Sequence, residues 1–288
     1  MAIRSRSPIE WVWEELKVAT AAVSATTDNQ PRVVPGLHTA APQVCRIRIA
    51  DLAGALASGF KDFASYRGDA VFLCAIFPII GLLLGRLAFG YSVLPLVFPL
   101  VAGFALIGPL AAVGLNEISR LREQGQHVTW VDAFAVFRSH AIGKIVVLGL
   151  LLMMIFLLWL VAAGLIYDAT LGPEPPTSLG RFVSDVFTTS AGWTLIVAGV
   201  GVGFLFALVS FAISVVSFPL LLDRDARVET ALGTSLRVVR SNPLVMAVWA
   251  AIIAAGLVIG SIPFLLGLVI VMPVFGHATW HLYRRVVR

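Results

Sequence analysis

Long uninterrupted apolar runs, rather than strict alternation, dominate the chain from Ala70 onward. A helix needs roughly 20 mostly apolar residues to cross about 30 Å of hydrocarbon. Six stretches meet this requirement, at about 70–87, 93–115, 145–166, 193–222, 244–259 and 263–280. The first two meet at a Gly90-Tyr91-Ser92 corner and the last two at Gly260-Ser261, which predicts tight hairpins. The third is a nearly pure Leu/Ile/Val/Met run. The fourth, at 1.5 Å per residue, is longer than the hydrocarbon core is thick, which predicts tilt or a kink near Pro219.

Short amphipathic segments precede three of these spans. Ala55-Leu56-x-x-Gly59-Phe60-Lys61-x-Phe63 leads into the first, and Ala231-Leu232-x-x-Ser235-Leu236-Arg237-x-Val239 leads into the fifth. A looser version, Ala133-Phe134-Ala135-Val136-Phe137-Arg138, leads into the third and lacks one residue of spacing. The apolar positions fall three to four apart and so share one helix face, with the basic residue placed to snorkel towards headgroups. Local chemistry marks where helices begin. Thr129 with Asp132 predicts an N-cap pair, and Ser241-Asn242-Pro243 predicts a stop and restart before the fifth span. Ser7-Pro8-Ile9-Glu10 predicts a capping box that opens an N-terminal amphipathic helix within residues 1–25. Residues 26–44 are polar and proline-bearing and predict a flexible linker, followed by a membrane domain over 45–288.

Composition agrees with this pattern. Of 288 residues, 59% are hydrophobic and 13% charged, against about a quarter charged in an ordinary soluble domain. The mean hydropathy is +0.93. A soluble globular fold, a disordered chain and, with only two cysteines, a disulfide scaffold are all excluded. The net charge of +5 raises the question of a nucleic-acid partner, but its distribution answers it. On the six-span map, all of the 21 Lys and Arg except Arg86 and Arg181 fall on one side, loop after loop. This positive-inside bias predicts that both termini are cytoplasmic. It explains the basic balance by orientation and by attraction to anionic lipid headgroups, so no nucleic-acid partner is expected. The opening MAIRSRSPIEWVWEELK lacks the apolar core of a cleavable signal peptide. The outer loop from Asp168 to Ala191, with its GPEPP segment, reads as a solvated connector. The fold class is therefore all-α, a polytopic membrane protein with six transmembrane helices as three hairpins, each preceded by a cytoplasmic interfacial amphipathic helix.

Candidate chemistry is sparse. His277 and His281 in GHATWH are four apart and share a helix face that Arg284 continues, a spacing that metal-binding helices use. They are the candidate cofactor-binding residues. Two histidines make at most half a zinc site or one pair of haem ligands, and the other polar candidates, His127, His140, Glu117, Asp132 and Asp223, form no ligand motif. Beside Trp280 and Tyr283, both histidines read as wet interfacial groups. No ionisable group lies at the middle of a span, where ion-coupled transporters and redox enzymes need one. Gly199, Gly203 and Ala207 read as a small-residue packing stripe, repeated by Gly81 and Gly85. Pro78, Pro99, Pro109 and Pro273 predict kinks. Asp223-Arg224-Asp225 is a charge cluster expected to pair with Arg227 or with the basic face of the helix that follows. No catalytic residue, resident metal or cofactor is expected.

The segments FPLLLDR, ALxxSLRxVRxNP and GHATWHLYR carry a resemblance to the bacterial integral membrane family called domain of unknown function 2189, over about Cys45 to the C-terminus. The resemblance implies a six-span protein of the bacterial inner membrane with no established activity. Three functions follow as expectations. The first is a non-enzymatic scaffold, accessory subunit or lipid-interacting envelope factor, whose partners are the lipid bilayer and other membrane proteins. The second is a transporter or channel for a small or lipophilic solute. The third is a metal or haem binder at His277 and His281.

Overall fold

The computed structural model describes residues 42–65 and 94–288, apart from 175 and 264. The expected helix within 1–25, the linker up to residue 41, and the first span with Cys74, Pro78, Gly81, Gly85 and Arg86 lie outside the described residues. Residues 42–288 form one compact unit. The end of the expected linker belongs to that unit: Val44 pairs with Val287 in an isolated antiparallel bridge, and Gln43 and Arg288 exchange backbone hydrogen bonds of 2.9 Å.

The described residues are helical. Helix α1 spans Ile49–Ser65, α2 Val97–Ala111 and α3 Val113–Glu123; a 3-10 turn follows over Trp130–Arg138. Then come α4 (Ile142–Thr170), α5 (Leu179–Thr188), α6 (Ser190–Ser214), α7 (Ser217–Asp223), α8 (Val228–Ser241), α9 (Pro243–Ser261) and α10 (Leu268–Val286). Among the described residues, α4, the run Ser190–Asp223 and α9 are long and apolar enough to cross a membrane. The run Leu94–Glu123 is a fourth if its bent halves count as one span.

Its 40° bend falls at the break between Gly103 and Ala105. Pro109 accounts for the place, because a proline removes the hydrogen bond to the carbonyl four residues earlier, here that of Ala105, and its ring crowds that carbonyl. Pro219 acts in the same way on the fourth span. The helix opens at Val215-Val216, four and three residues before the proline, and restarts as α7. The sixth expected span begins at Leu268 rather than Pro263, since a turn with Leu265 at φ 66° precedes it.

Two connectors depart from expectation. The loop expected on the outer side contains α5, whose Ser178 side chain accepts from the Arg181 N–H at 3.2 Å and whose Tyr167 neighbour stacks obliquely on Phe182. Thr129 and Asp132 do form their cap, the carboxylate accepting from the Thr129 N–H at 2.7 Å, but what they open is a 3-10 turn. The missing residue of spacing in this third amphipathic segment is consistent with that tighter winding.

Polarity in the bundle is inverted relative to a water-soluble protein. Val197 (70% exposed), Phe204 (62%) and fourteen other large apolar side chains of α4 and α6 point outward, whereas Asn116, Glu117, Ser119, Thr234, Ser235 and His277 are buried. In water that arrangement would expose apolar surface at about 25 cal/mol per Å2; in hydrocarbon that penalty vanishes, and polar groups must find their hydrogen bonds inside the protein.

Candidate functional site

A cluster of buried polar groups, Asp62, Ser119 and His277 among them, lies where α1, α3 and the C-terminal half of α10 meet. Helix α1 lies along α10, and the approach is close because Gly59 sits against Ala278: a Cβ at 59 would come within 2.6 Å of the Ala278 backbone nitrogen. This contact carries Asp62, one turn further on, into the space beside α3.

Asp62 is the hub. Its Oδ1 accepts from Arg122 at 2.7 Å, and its Oδ2 accepts from the Ser119 hydroxyl and from His281 Nε2, both at 2.8 Å. A carboxylate has no proton to give, so His281 carries its proton on Nε2. The single hydroxyl proton of Ser119 is spent on Asp62, so the 2.8 Å contact from His277 Nδ1 to Ser119 Oγ has the imidazole as donor. Arg122 also donates to Ser65 at 2.9 Å. Burial pushes the Asp62 carboxyl up, but the hydrogen bonds from His281 and Ser119 and the charge of the histidines outweigh it and hold the carboxyl below its ordinary range.

A second lock lies beside the first. The Tyr283 hydroxyl donates to Asp223 at 2.6 Å, Arg284 reaches Asp223 at 3.4 Å and Glu123 at 3.0 Å, and the Trp280 indole donates to Glu123 at 2.8 Å. Burial, then the hydrogen bond to Asp223, pushes the Tyr283 phenol far up, so it stays a donor. A third lock uses Asn242, where α8 stops and α9 restarts as the Ser-Asn-Pro pattern predicts. Its side chain accepts from Ile47 N–H at 2.9 Å and donates to the Cys45 carbonyl at 3.1 Å, holding the strand that pairs with the C-terminus.

The sequence candidates thus fare differently. His277 and His281 do share a face, but His277 is 1% exposed and not a wet interfacial group, because α1 covers that end of α10. Asp62, Ser119 and Arg122 join them, and none was singled out from the sequence. Asp223 pairs with Tyr283 and Arg284, and Asp225 with Lys144; neither takes Arg227 or the α8 face as its ion-pair partner. Glu117 pairs with Arg120 at 2.6 Å, Asp132 with Thr129, while His127 and His140 are exposed. Among the described residues no group of three or more His, Cys, Asp or Glu is placed to hold a metal. Ser119 is not set in a serine–histidine–carboxylate relay: its hydroxyl donates to Asp62 directly, and His277 donates to the serine oxygen instead of accepting its proton.

Above the locks, a cavity of about 610 Å3 runs between α2, α6, α9 and α10. Gly199, Ala207, Phe98 and Leu257 line its far part, and Asn116, Ser214, Trp249 and Thr279 its near part. Gly199 faces open space here rather than another helix, so the expected packing stripe lines a groove at that residue; Gly203 does pack, against the Trp159 ring. Asn116 Oδ1 and Trp249 Nε1 are buried without a hydrogen-bond partner among the described residues.

The family model described as a predicted integral membrane protein, DUF2189, matches residues 97–223, from the first residue of α2 to the last of α7. No curated protein and no solved structure matches the chain. The matched segment contains Ser119, Arg122 and Asp223; beyond it, GHATWHLYR meets it across the first two locks, and ALxxSLRxVRxNP through the hydrogen bonds from Ser217 to the Ala231 carbonyl and from Ser235 to the Ala212 carbonyl. Residues 97–223, with their exposed apolar helices, are thus similar to the DUF2189 family of predicted integral membrane proteins.

Proposed function

We propose that this is a non-enzymatic protein of the bacterial inner membrane, with six spans as three hairpins and both termini in the cytoplasm, which acts by holding lipid or other membrane proteins. The observation that carries this reading is that the buried polar groups of the motif segments are spent on one another. Asp62, Asp223 and Asn242 are each satisfied by side chains or backbone of the same chain, which makes them locks on helix position rather than reagents. Residues 70–87 and the apolar half of α10, added to the three helices of span length and to the bent run Leu94–Glu123 taken as one span, support the count of six. The basic ends support the orientation. Among the described residues no third His, Cys, Asp or Glu stands with His277 and His281 in a metal-holding group, which weighs against a metal at that pair.

The cavity favours one second reading, passage or carriage of a lipophilic solute, because it is open between four helices and lined by small residues. Isolation in mild detergent separates the two. Fixed protein or lipid partners that stay through purification support holding; saturable solute uptake by vesicles reconstituted with the pure protein, without retained partners, would replace it with carriage.

A further inference from the structure

We propose that the cavity between α2, α6, α9 and α10 is a binding site for one uncharged lipid whose head carries a hydroxyl group. This rests on the lipid-holding form of the function proposed above and specifies its ligand. The volume, about 610 Å3, falls within the roughly 300–1,000 Å3 of single-ligand pockets. Along α6 the lining runs from Gly199 to Val215, about 24 Å at 1.5 Å per residue, most of the depth of a hydrocarbon core. Phe98, Val200 and Phe204 are lining residues that are also exposed, so the groove opens sideways, towards the acyl chains.

The polar groups fix the head. Trp249 is wholly buried and its indole N–H can only donate, so the ligand must present an oxygen acceptor. Asn116, 1% exposed, has an unpaired amide oxygen that needs a donor. A hydroxyl offers both an acceptor lone pair and a donor proton. Both residues belong to the near part of the groove with Ser214 and Thr279, leaving the far part, with Gly199 and Leu257, for the tail. No Lys, Arg, His, Asp or Glu lines the cavity among the described residues. A phosphate or carboxylate head would therefore be buried without a counter-charge, which selects against anionic lipids.

The test uses the full chain in phosphatidylcholine vesicles and two photoreactive probes of equal chain length, a monoacylglycerol and a fatty acid, each with a diazirine on the tail. The expected result is saturable monoacylglycerol labelling of peptides covering Gly199–Val215 and Ala247–Leu257, competed by unlabelled monoacylglycerol and at least several-fold weaker for the fatty acid. Trp249→Phe, which keeps the ring but removes the donor, should weaken half-saturation by about tenfold. Ala207→Trp, which fills the groove from a position exposed in the structure, should abolish the labelling and serves as the check if Trp249→Phe fails to fold. Labelling that does not saturate, that is equal for the carboxylate, or that ignores both variants would overturn the site. So would an unlabelled groove, the result expected if water alone or the chain's own residues 66–93 fill it. Saturable labelling on another surface would overturn this site and leave the lipid-holding reading standing; none anywhere would count against both.

Discussion

Asp62 accepts from three side chains, and each loses an anion if the carboxylate is neutralised. Asp62→Asn leaves Arg122 and His281 facing a neutral amide; because both are partly solvated, the cost should be about 2–4 kcal/mol rather than that of a fully buried pair. Thermal unfolding in detergent would show it as a lower midpoint. The pH dependence has a definite sign. The Asp62 carboxyl is held below its ordinary value of 3.8, so its stabilisation is complete above that value and is lost as pH falls through the lowered native one. The wild-type midpoint should therefore drop on acidification below about pH 4 by more than that of Asp62→Asn; parallel curves would contradict the hub. Tyr283→Phe removes one buried hydrogen bond to an aspartate that keeps Arg284, and about 1–2 kcal/mol is expected by the same measurement. At this scale the sequence reveals half of the cluster. The four-residue spacing of His277 and His281 is local and visible, whereas Ser119 and Asp62 lie 158 and 219 residues from their histidine partners, a distance no periodicity reports.

Helices were legible where the signal was length. The apolar runs of α4, α6 and α9 stand out because every turn is apolar, and the breaks follow from Pro109 and Pro219. Helix α5 was not legible: ten residues with Leu179, Phe182, Val183 and Phe187 on one face sit close after GPEPP, and turn chemistry masked the period. The two amphipathic segments with matching residues both became helices, but their small residues serve close packing rather than a free interface. Ala55 and Ala231 are fully buried, as are Gly59 and Ser235. Two glycine substitutions discriminate between packing and open space. Gly59→Ala forces the α1 and α10 backbones apart and should lower the unfolding midpoint sharply, with loss of the Asp62 contacts. Gly199→Ala meets nothing within 4 Å and should be neutral or stabilising by up to about 1 kcal/mol through helix propensity. Equal effects of the two would contradict the placement of α1 on α10.

Across the whole molecule the distribution of polarity carries the account. Apolar side chains face outward along α4 and α6, most buried polar groups are hydrogen-bonded inside, and Asp62 and Asp223 join segments far apart in sequence. The basic ends of the helices carry the proposed orientation, and a reporter active only in the cytoplasm, fused after Arg288, should be active. A fusion in the loop at Gly172 should be silent, and the reverse pattern would invert the map. The central claim, holding rather than chemistry, is tested most directly by native mass spectrometry of the full chain released from mild detergent. The account predicts a stoichiometric lipid or protein partner and no metal or haem mass. A stoichiometric haem or metal that disappears in His277→Ala or His281→Ala would contradict it.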